Sequence, residues 1–397
     1  ATHVAVRDGL VLAVGDADCA APWGDFRRDD RYNDKVLMPG FVEGNAHMMT
    51  GAMWNYTYAG HEDRIDPDGR KWDGSTDIAG VMAGLKRALA SLPADKPLIA
   101  WGFDPIFLPS ERLNRRHLDE VSAERPVIIM HSNFHLMTVN SAALAIVGYD
   151  RNTNAVGVAR FDDGEPNGEL QEMAAMFPLM RRLGVDFRGL ARAESAMRGF
   201  AKSAMRVGVT TSTDLLNELP EEDISKLAAV TAREDFQLRV VPALNGMTQA
   251  PEDVARRALE LRKRSTDKLR LGAVKLMADG SIQGFTGRLK WPGYLAGHPN
   301  GIWNTPPDVL KEQIVCLHRE GVQMHIHVNG DEASEAALDA MEEAQARHPR
   351  FDHRHTLQHC QMADEAQFRR MAALGLCVNL FANHIWFFGD QHYERTM

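Results

Sequence analysis

From residue 209 onward the chain alternates between short apolar runs and segments with helical spacing. The runs are Val209–Leu215, Leu238–Leu244, Leu271–Met277, Val322–Val328, His355–Cys360 and Leu376–Ala382. Each is of strand length and is separated from the next by a helical pattern, which is how a parallel sheet with crossover helices reads. In 308–320, Leu310, Ile314 and Leu317 fall at i, i+4 and i+7 and share one face. Asp331 is positioned to cap a helix over 331–345. Phe368, Met371 and Leu374 make a stripe across 363–374, and Gly375 supplies the stop. With 36–45 as the first strand, seven strands of an eight-strand TIM-type (β/α)8 barrel are present. An eighth is not in the sequence.

The first 38 residues have a different texture. VAVRDGLVLAVGD and KVLMPGF read as short strands with turns at Asp8-Gly9 and Gly15-Asp16, the N-terminal part of a small β-sandwich side domain. The barrel then occupies 39–397. Residues 61–207 are far too long for a connection between strands one and two. They carry their own strand signals, PLIAWGFDP and PVIIMHSNFH, and a helix around 189–206. They are expected to form an inserted subdomain over the barrel mouth, where it would shape a substrate pocket. The ending at HYERTM looks like a truncation, with strand eight and the rest of the sandwich lying beyond it.

Composition narrows the function classes. A formal net charge of −9 and no basic run argue against nucleic-acid binding. No apolar stretch approaches membrane-spanning length, and the N-terminal residues lack the pattern of a signal peptide. Four scattered cysteines without a CxxC form neither a zinc knuckle nor a disulfide framework, which suits reduced thiols in a cytoplasmic protein. The expected partner is a small-molecule substrate. A homo-oligomer is compatible with the sequence, which does not decide it.

The 16 histidines carry more information, because several sit inside apolar strands. In a strand, Asn45 and His47 would face the same side and reach one ion. Lys275, in GAVKLMADG, is flanked by Val274 and Leu276. Such a buried amine either pairs, with Asp279 for example, or gives up its proton. A neutral amine beside a metal can take up carbon dioxide and become a carbamate that bridges two cations. His325 and His327 share one face of a strand, with His327 nearer its C-terminal end and His325 a layer deeper. His355 and His359 are also expected to share a face, with His359 as the ligand and His355 as a structural group. His135, Trp54 and Asp279 are the substrate-binding candidates. Tyr56 and Tyr58 could serve as further pocket walls, and Asp104 and Arg112 stand behind these.

At this point the pattern resembles the metal-dependent amidohydrolase superfamily. Within it, the chain is similar to the amidohydrolase 3 branch that contains N-substituted formamide deformylase and exoenzyme regulatory proteins. The resemblance rests on VLMPGFVEGNAHMM, the RLNRRHLDEVSAERPVIIMHSNFHLMTVNSAAL block, DDGEPNGEL, GVTTSTDL, VKLMADGSIQG, HIHVNGDEA and HTLQHCQ, in that order. It implies a barrel beside a small β-sandwich, with metal ligands on strands one, four, five, six and eight. Residue by residue, it implies Asn45 and His47, Lys275 (carboxylated in many relatives), His327 and His359 as ligands. Two departures matter. Asn45 stands where the family has histidine, and an amide oxygen is the poorer ligand for zinc. The strand-eight aspartate that binds metal and moves the proton has no counterpart, since Asp390 comes too soon after strand seven.

The expected activity is hydrolysis of a C–N bond in an amide, N-formyl or cyclic amide. One or two divalent cations, zinc foremost, would activate water and polarise the carbonyl. The alternative is a catalytically impaired barrel that serves as a small-molecule binding or regulatory protein. The same site could also cleave a lactone or a phosphoester.

Overall fold

The computed structural model describes residues 1–108 and 112–396, in two compact units, Ala1–Gly40 and Phe41–Met397. In the first unit, β1 (His3–Arg7) and β2 (Leu10–Gly15) form an antiparallel hairpin followed by a 3-10 turn over Ala17–Trp23. Asp8 and Gly9, both with positive φ, make the tight connection. This hairpin is as much of the expected sandwich as the described residues contain.

In the second unit, β3 (Phe41–Glu43) is the short first strand of the main sheet. The chain then builds a second sheet from β4 (Thr57–Tyr58), β7 (Leu98–Phe103), β8 (Val127–His131), β9 (Leu136–Val139), β10 (Val158–Arg160) and β11 (Pro166–Gln171). Their order is β10-β11-β9-β8-β7-β4, and β5 (Arg64–Ile65) and β6 (Lys71–Trp72) pair separately. Strands β7 and β8 are apolar and almost wholly buried, because both faces of this sheet carry a core. Ile99, Ile128 and Met130 belong to one, and Leu98, Ala100, Val127 and Ile129 to the other.

The main sheet resumes with β12 (Val209–Asn217), β13 (Arg239–Asn245), β14 (Ala273–Met277), β15 (Gln323–Val328), β16 (Thr356–His359) and β17 (Cys377–Leu380). All pair in parallel, in the order β3-β12-β13-β14-β15-β16-β17. The outward side chains of β14 and β15, Val274, Leu276, Met324, Ile326 and Val328, pack with helical residues in one large core. Leu310, Ile314 and Leu317 of the helix Pro307–Arg319 and Ala337 and Met341 of the helix Asp331–Arg347 are fully buried there. The cap of the latter helix is Gly330, not Asp331. Asp331 is the first helical residue and accepts from the Lys290 and Glu332 N–H groups.

The sheet is curled, with its two edge strands left open, rather than a closed eight-stranded barrel. Gln358 marks the curl. Its amide donates to the Gly44 carbonyl just past β3 at 3.2 Å, while its oxygen accepts from Asn379 of β17 at 2.7 Å. The ends of the first and sixth strands therefore meet. Among the described residues, no helix is long and apolar enough to cross a membrane.

Candidate active site

A cavity of about 1320 Å³ opens at the C-terminal ends of the main-sheet strands and is walled on its other side by the second-sheet region. Asn45, His47, Lys275, His327, His359 and His135 all line it. Parallel strands with intervening helices converge their C-terminal ends and leave the loops there free to carry chemistry.

The first-strand pair reaches the cavity by an unexpected route. Strand β3 stops at Glu43, so strand alternation does not orient Asn45 and His47. Hydrogen bonds to β12 do. The Ala46 N–H donates to Thr213 Oγ1 at 3.2 Å, its carbonyl accepts from Leu215 N–H at 2.9 Å, and the Met48 N–H donates to Asp214 Oδ1 at 2.8 Å. Asp214 is itself held by Arg192, 3.0 Å away and equally buried. His47 Nδ1 lies 2.9 Å from the Leu215 carbonyl, which can only accept, so Nδ1 carries the proton and Nε2 the lone pair.

Lys275 projects inward from β14, level in register with His325 and one layer below His327. It is 3% exposed, and its Nζ has no hydrogen-bond or carboxylate partner among the described residues. Burial pulls its pKa down to about 7. The pairing with Asp279 considered from the sequence does not form. Both Asp279 oxygens instead accept backbone N–H groups, from Asn329 (2.9 Å), Gly330 (2.8 Å) and Arg288 (2.9 Å). Asp279 is fully buried and is not among the cavity-lining residues; it anchors the loop and lies 3.6 Å from His327 Nε2. Burial raises its pKa to about 7.

His327 and His359 meet edge to face, with ring centroids 4.7 Å apart. Burial, reinforced by neighbouring cationic groups, holds both well below the ordinary imidazole pKa. His327 Nε2 lies 3.0 Å from the Gly280 carbonyl, which leaves the lone pair on Nδ1. His359 required a local distortion. In the ladder, Gln358 is the residue opposite His327, and it faces inward to bond His325 Nδ1 at 2.8 Å. Regular alternation would therefore turn His359 outward, as it does His355. A positive φ of 74° at His359 swings the ring back into the cavity. Such a conformation costs a non-glycine residue about 1–3 kcal/mol and tends to persist where function needs it. His355 and His359 thus do not share a face. His355 packs on the far side with His318 and His353.

The remaining sequence candidates divide. His135 touches the other side of His327, with centroids 5.0 Å apart, and its Nδ1 bonds Glu172 Oε2 at 2.8 Å. Burial pulls its pKa down, but the Glu172 carboxylate outweighs this and the net direction is up. Glu172 also accepts from Asn304 at 2.9 Å. The sequence offered no signal for it beyond its place after DDGEPNGEL. Trp54 does not line the cavity; it packs among Tyr58, Trp72 and Trp101, and Tyr56 lies against Phe187. Tyr58 does line it, as does Asp104, whose pKa burial lifts to about 6. Arg112 is committed to Glu169, with its Nη2 2.8 Å from Oε1. Asp390 is exposed on the helix Asn383–Gln391.

Whether these groups suit a cation can be judged from their donors. Among the described residues, no three His, Cys, Asp or Glu side chains stand close enough together to hold an ion. The arrangement is two touching neutral imidazoles with a half-neutral amine on the same cavity, and the third ring in contact is His135, not His47. The donor chemistry suits a borderline cation. His47 and His327 each donate one ring N–H to a backbone carbonyl, the outer hydrogen bond that fixes the tautomer of a ligating histidine. Asn45 fits less well. Its Nδ2 lies 2.9 Å from His359 Nε2 and caps the lone pair that a cation would take.

Known proteins share this framework. The Arabidopsis thaliana protein LONG AFTER FAR-RED 3 is 25% identical over 400 residues, covering 97% of this chain and 65% of its own length. N-substituted formamide deformylase of Arthrobacter pascens is 25% identical over 363 residues, covering 88% and 63%. The chain thus spans about two thirds of the length of these relatives. The solved structure of an uncharacterized metal-dependent hydrolase from Pyrococcus horikoshii superposes over 98% of this chain and 72% of that one, with a TM-score of 0.63 at 17% identity, which establishes a shared fold. Residues 33–397 match the model of the amidohydrolase family, and the chain belongs to that family.

Proposed function

We propose that this chain carries the core of a metal-dependent hydrolase that cleaves a C–N bond in an amide, N-formyl or cyclic amide. The observation that carries the reading is Lys275, a buried amine with no counter-charge among the described residues, opening onto the same cavity as two imidazoles that burial keeps neutral. An isolated buried amine is costly, and a fold that needed only stability would place a methionine there. Lys275, His327 and His359 would hold a divalent cation, zinc by donor type, with His47 beside them and a carbamate on Lys275 as the source of negative charge. When bound, the cation supplies Lewis acidity toward the carbonyl and a more acidic water. The residues of the chain do the rest. His135, oriented by Glu172 and with its proton stabilised by that carboxylate, donates to the substrate oxygen. The second-sheet wall shields the site from bulk water.

Elemental analysis of the purified protein tests this. About one equivalent of zinc, iron or manganese is expected, falling to background in His359→Ala. Unchanged metal in that variant would overturn the assignment. A second reading, a barrel that binds a small molecule without turning it over, is favoured by the Asn45 amide that caps His359. Asn45→His separates the two. Raised metal occupancy with a gain of hydrolysis supports the enzyme, whereas tight ligand binding without turnover supports the second reading.

A further inference from the structure

A second concavity, of about 740 Å³, opens at the other end of the main sheet and is not used by the proposed chemistry. Arg239, Ala273 and Gln323, the first residues of β13, β14 and β15, line it and place it there. Its charge runs against that of the chain. The formal net charge is −9, yet Arg239, Arg262, Lys268, Arg270, Arg350 and Arg354 all line this concavity. Two carboxylates stand among them, Asp267 and Asp352. Asp352 is spent on Arg354, which it binds at 2.8 and 2.9 Å. That leaves a surplus of cations facing Asp267.

Strand register accounts for two of them. Val240 of β13 and Leu269, just ahead of β14, form a parallel bridge, and each is 1% exposed in the large outer core. Side chains alternate along extended chain. Arg239 and Arg270, the neighbours of that pair, therefore turn to the other face, where both line the concavity. Neither guanidinium has a hydrogen bond or an ion pair among the described residues.

The other cations meet backbone carbonyls. Lys268 Nζ donates to the Arg233 and Phe236 oxygens at 2.7 and 2.8 Å, Arg262 Nη2 to Gly321 at 3.0 Å, and Arg350 Nη1 to His318 at 2.8 Å. Such contacts finish helix ends, but a carbonyl orders a cation without neutralising it. Burial, and after it the nearby Arg262 charge, hold the Arg350 guanidinium below its ordinary pKa. His353, on the same wall, offers a ligand nothing, because both of its ring nitrogens are engaged.

We propose that this concavity binds a small anion carrying three or more negative charges, a triphosphate chain or a tricarboxylate, through Arg239, Arg270, Arg262 and Arg350. Guanidinium forks match the paired oxygens of either group. The site shares no lining residue with the imidazole cavity, so it stands or falls apart from the hydrolase reading.

Calorimetric titration of the full chain with tripolyphosphate and with citrate tests this. Both ligands chelate metals, so metal-free native chain and His359→Ala are titrated side by side. One ligand per chain is expected in both, bound more weakly as salt rises from about 50 to about 200 mM. Arg239→Gln/Arg270→Gln replaces two exposed side chains and should fold, which circular dichroism checks. It should weaken binding roughly tenfold, the equivalent of two modest charge contacts. Lys86→Gln/Arg87→Gln removes the same charge from exposed positions of the helix Ile78–Ser91 and should change affinity by less than about twofold. The tighter of the two ligands identifies the anion as phosphate or carboxylate. Absence of binding by either, or an equal loss in the two double variants, overturns the proposal. So does binding that vanishes in His359→Ala yet survives Arg239→Gln/Arg270→Gln, which would put the anion in the imidazole cavity.

Discussion

The two ends of the curled sheet each gather buried histidines and treat them in opposite ways. Around the N-terminal end, His318, His353 and His355 form a closed chain. The Met324 N–H donates to His355 Nδ1 at 3.2 Å, so His355 Nε2 carries the proton that it gives to His318 Nδ1 at 2.9 Å. His318 Nε2 then donates to the His348 carbonyl at 2.8 Å. His353 Nε2 donates to the Leu374 carbonyl at 2.9 Å, and its Nδ1 accepts from the His355 N–H at 3.0 Å. Every nitrogen there is used. At the C-terminal end, His327 keeps a lone pair, Lys275 has no hydrogen-bond partner among the described residues, and His359 adopts a strained φ to face the cavity. Burial alone does not separate them, because both groups are buried. What differs is whether the protein itself completes the hydrogen bonds or leaves them for something else.

The comparison can be broken most forcefully at Lys275. The unfolded amine keeps its proton to about 10.5 and the folded one only to about 7. Burying it therefore destabilises the metal-free protein at neutral pH, and the deficit shrinks as pH rises between those values. Lys275→Met should raise metal-free stability in denaturant titration by several kcal/mol while removing bound metal. A loss of stability would mean the amine has a partner after all.

At the other end, His355→Ala should cost about 3 kcal/mol, from a cavity plus two orphaned hydrogen-bond partners, with metal content unchanged. Metal loss in this variant would show the two ends to be coupled.

Acid is a gentler probe of the N-terminal cluster. Burial lowers the pKa of His355 to about 2 and that of His318 below its ordinary value. For a depressed imidazole the unfolded chain binds the extra proton. Stability is thus full above about pH 6.5 and falls as pH drops below it, by about 1.4 kcal/mol per pH unit for each such group. Urea midpoints from pH 7 to 5 should show a slope that flattens in His355→Ala. An equal slope in the variant would remove His355 from the account.

The smallest effect concerns the backbone. His359→Gly should recover about 1 kcal/mol of the φ strain relative to His359→Ala, read as a difference in urea midpoint between two equally metal-poor variants. Equal midpoints would mean that the conformation carries little strain.

Much of the framework was legible because it depends on local pattern. The apolar runs from Val209 to Ala382 contain β12 to β17 almost residue for residue, and the stripe of Leu310, Ile314 and Leu317 is buried as its spacing implies. Periodicity also picked out Lys275 as an inward group, since β14 is regular. It misled where the backbone departs from regularity. Asn45 and His47 lie beyond the end of β3, and His359 breaks its own alternation, so parity does not account for the cavity placement of the first pair and puts His355 on the face of His359 where the structure separates them. Asp279 and Trp54 are substrate-binding candidates by sequence. Neither lines the cavity, since one is consumed by backbone N–H groups and the other by neighbouring rings.

The sequence by itself determined the alternation of strand and helix, the family, and the set of chemical groups available. Those follow from side-chain polarity at fixed periods, which the chain carries wherever it folds. The tertiary structure alone decided which histidines are satisfied and which are exposed to the cavity, and that Glu172 stands behind His135. Those depend on hydrogen bonds and contacts between residues tens to hundreds of positions apart, and they are set only when the sheet curls and brings the ends of its first and sixth strands together.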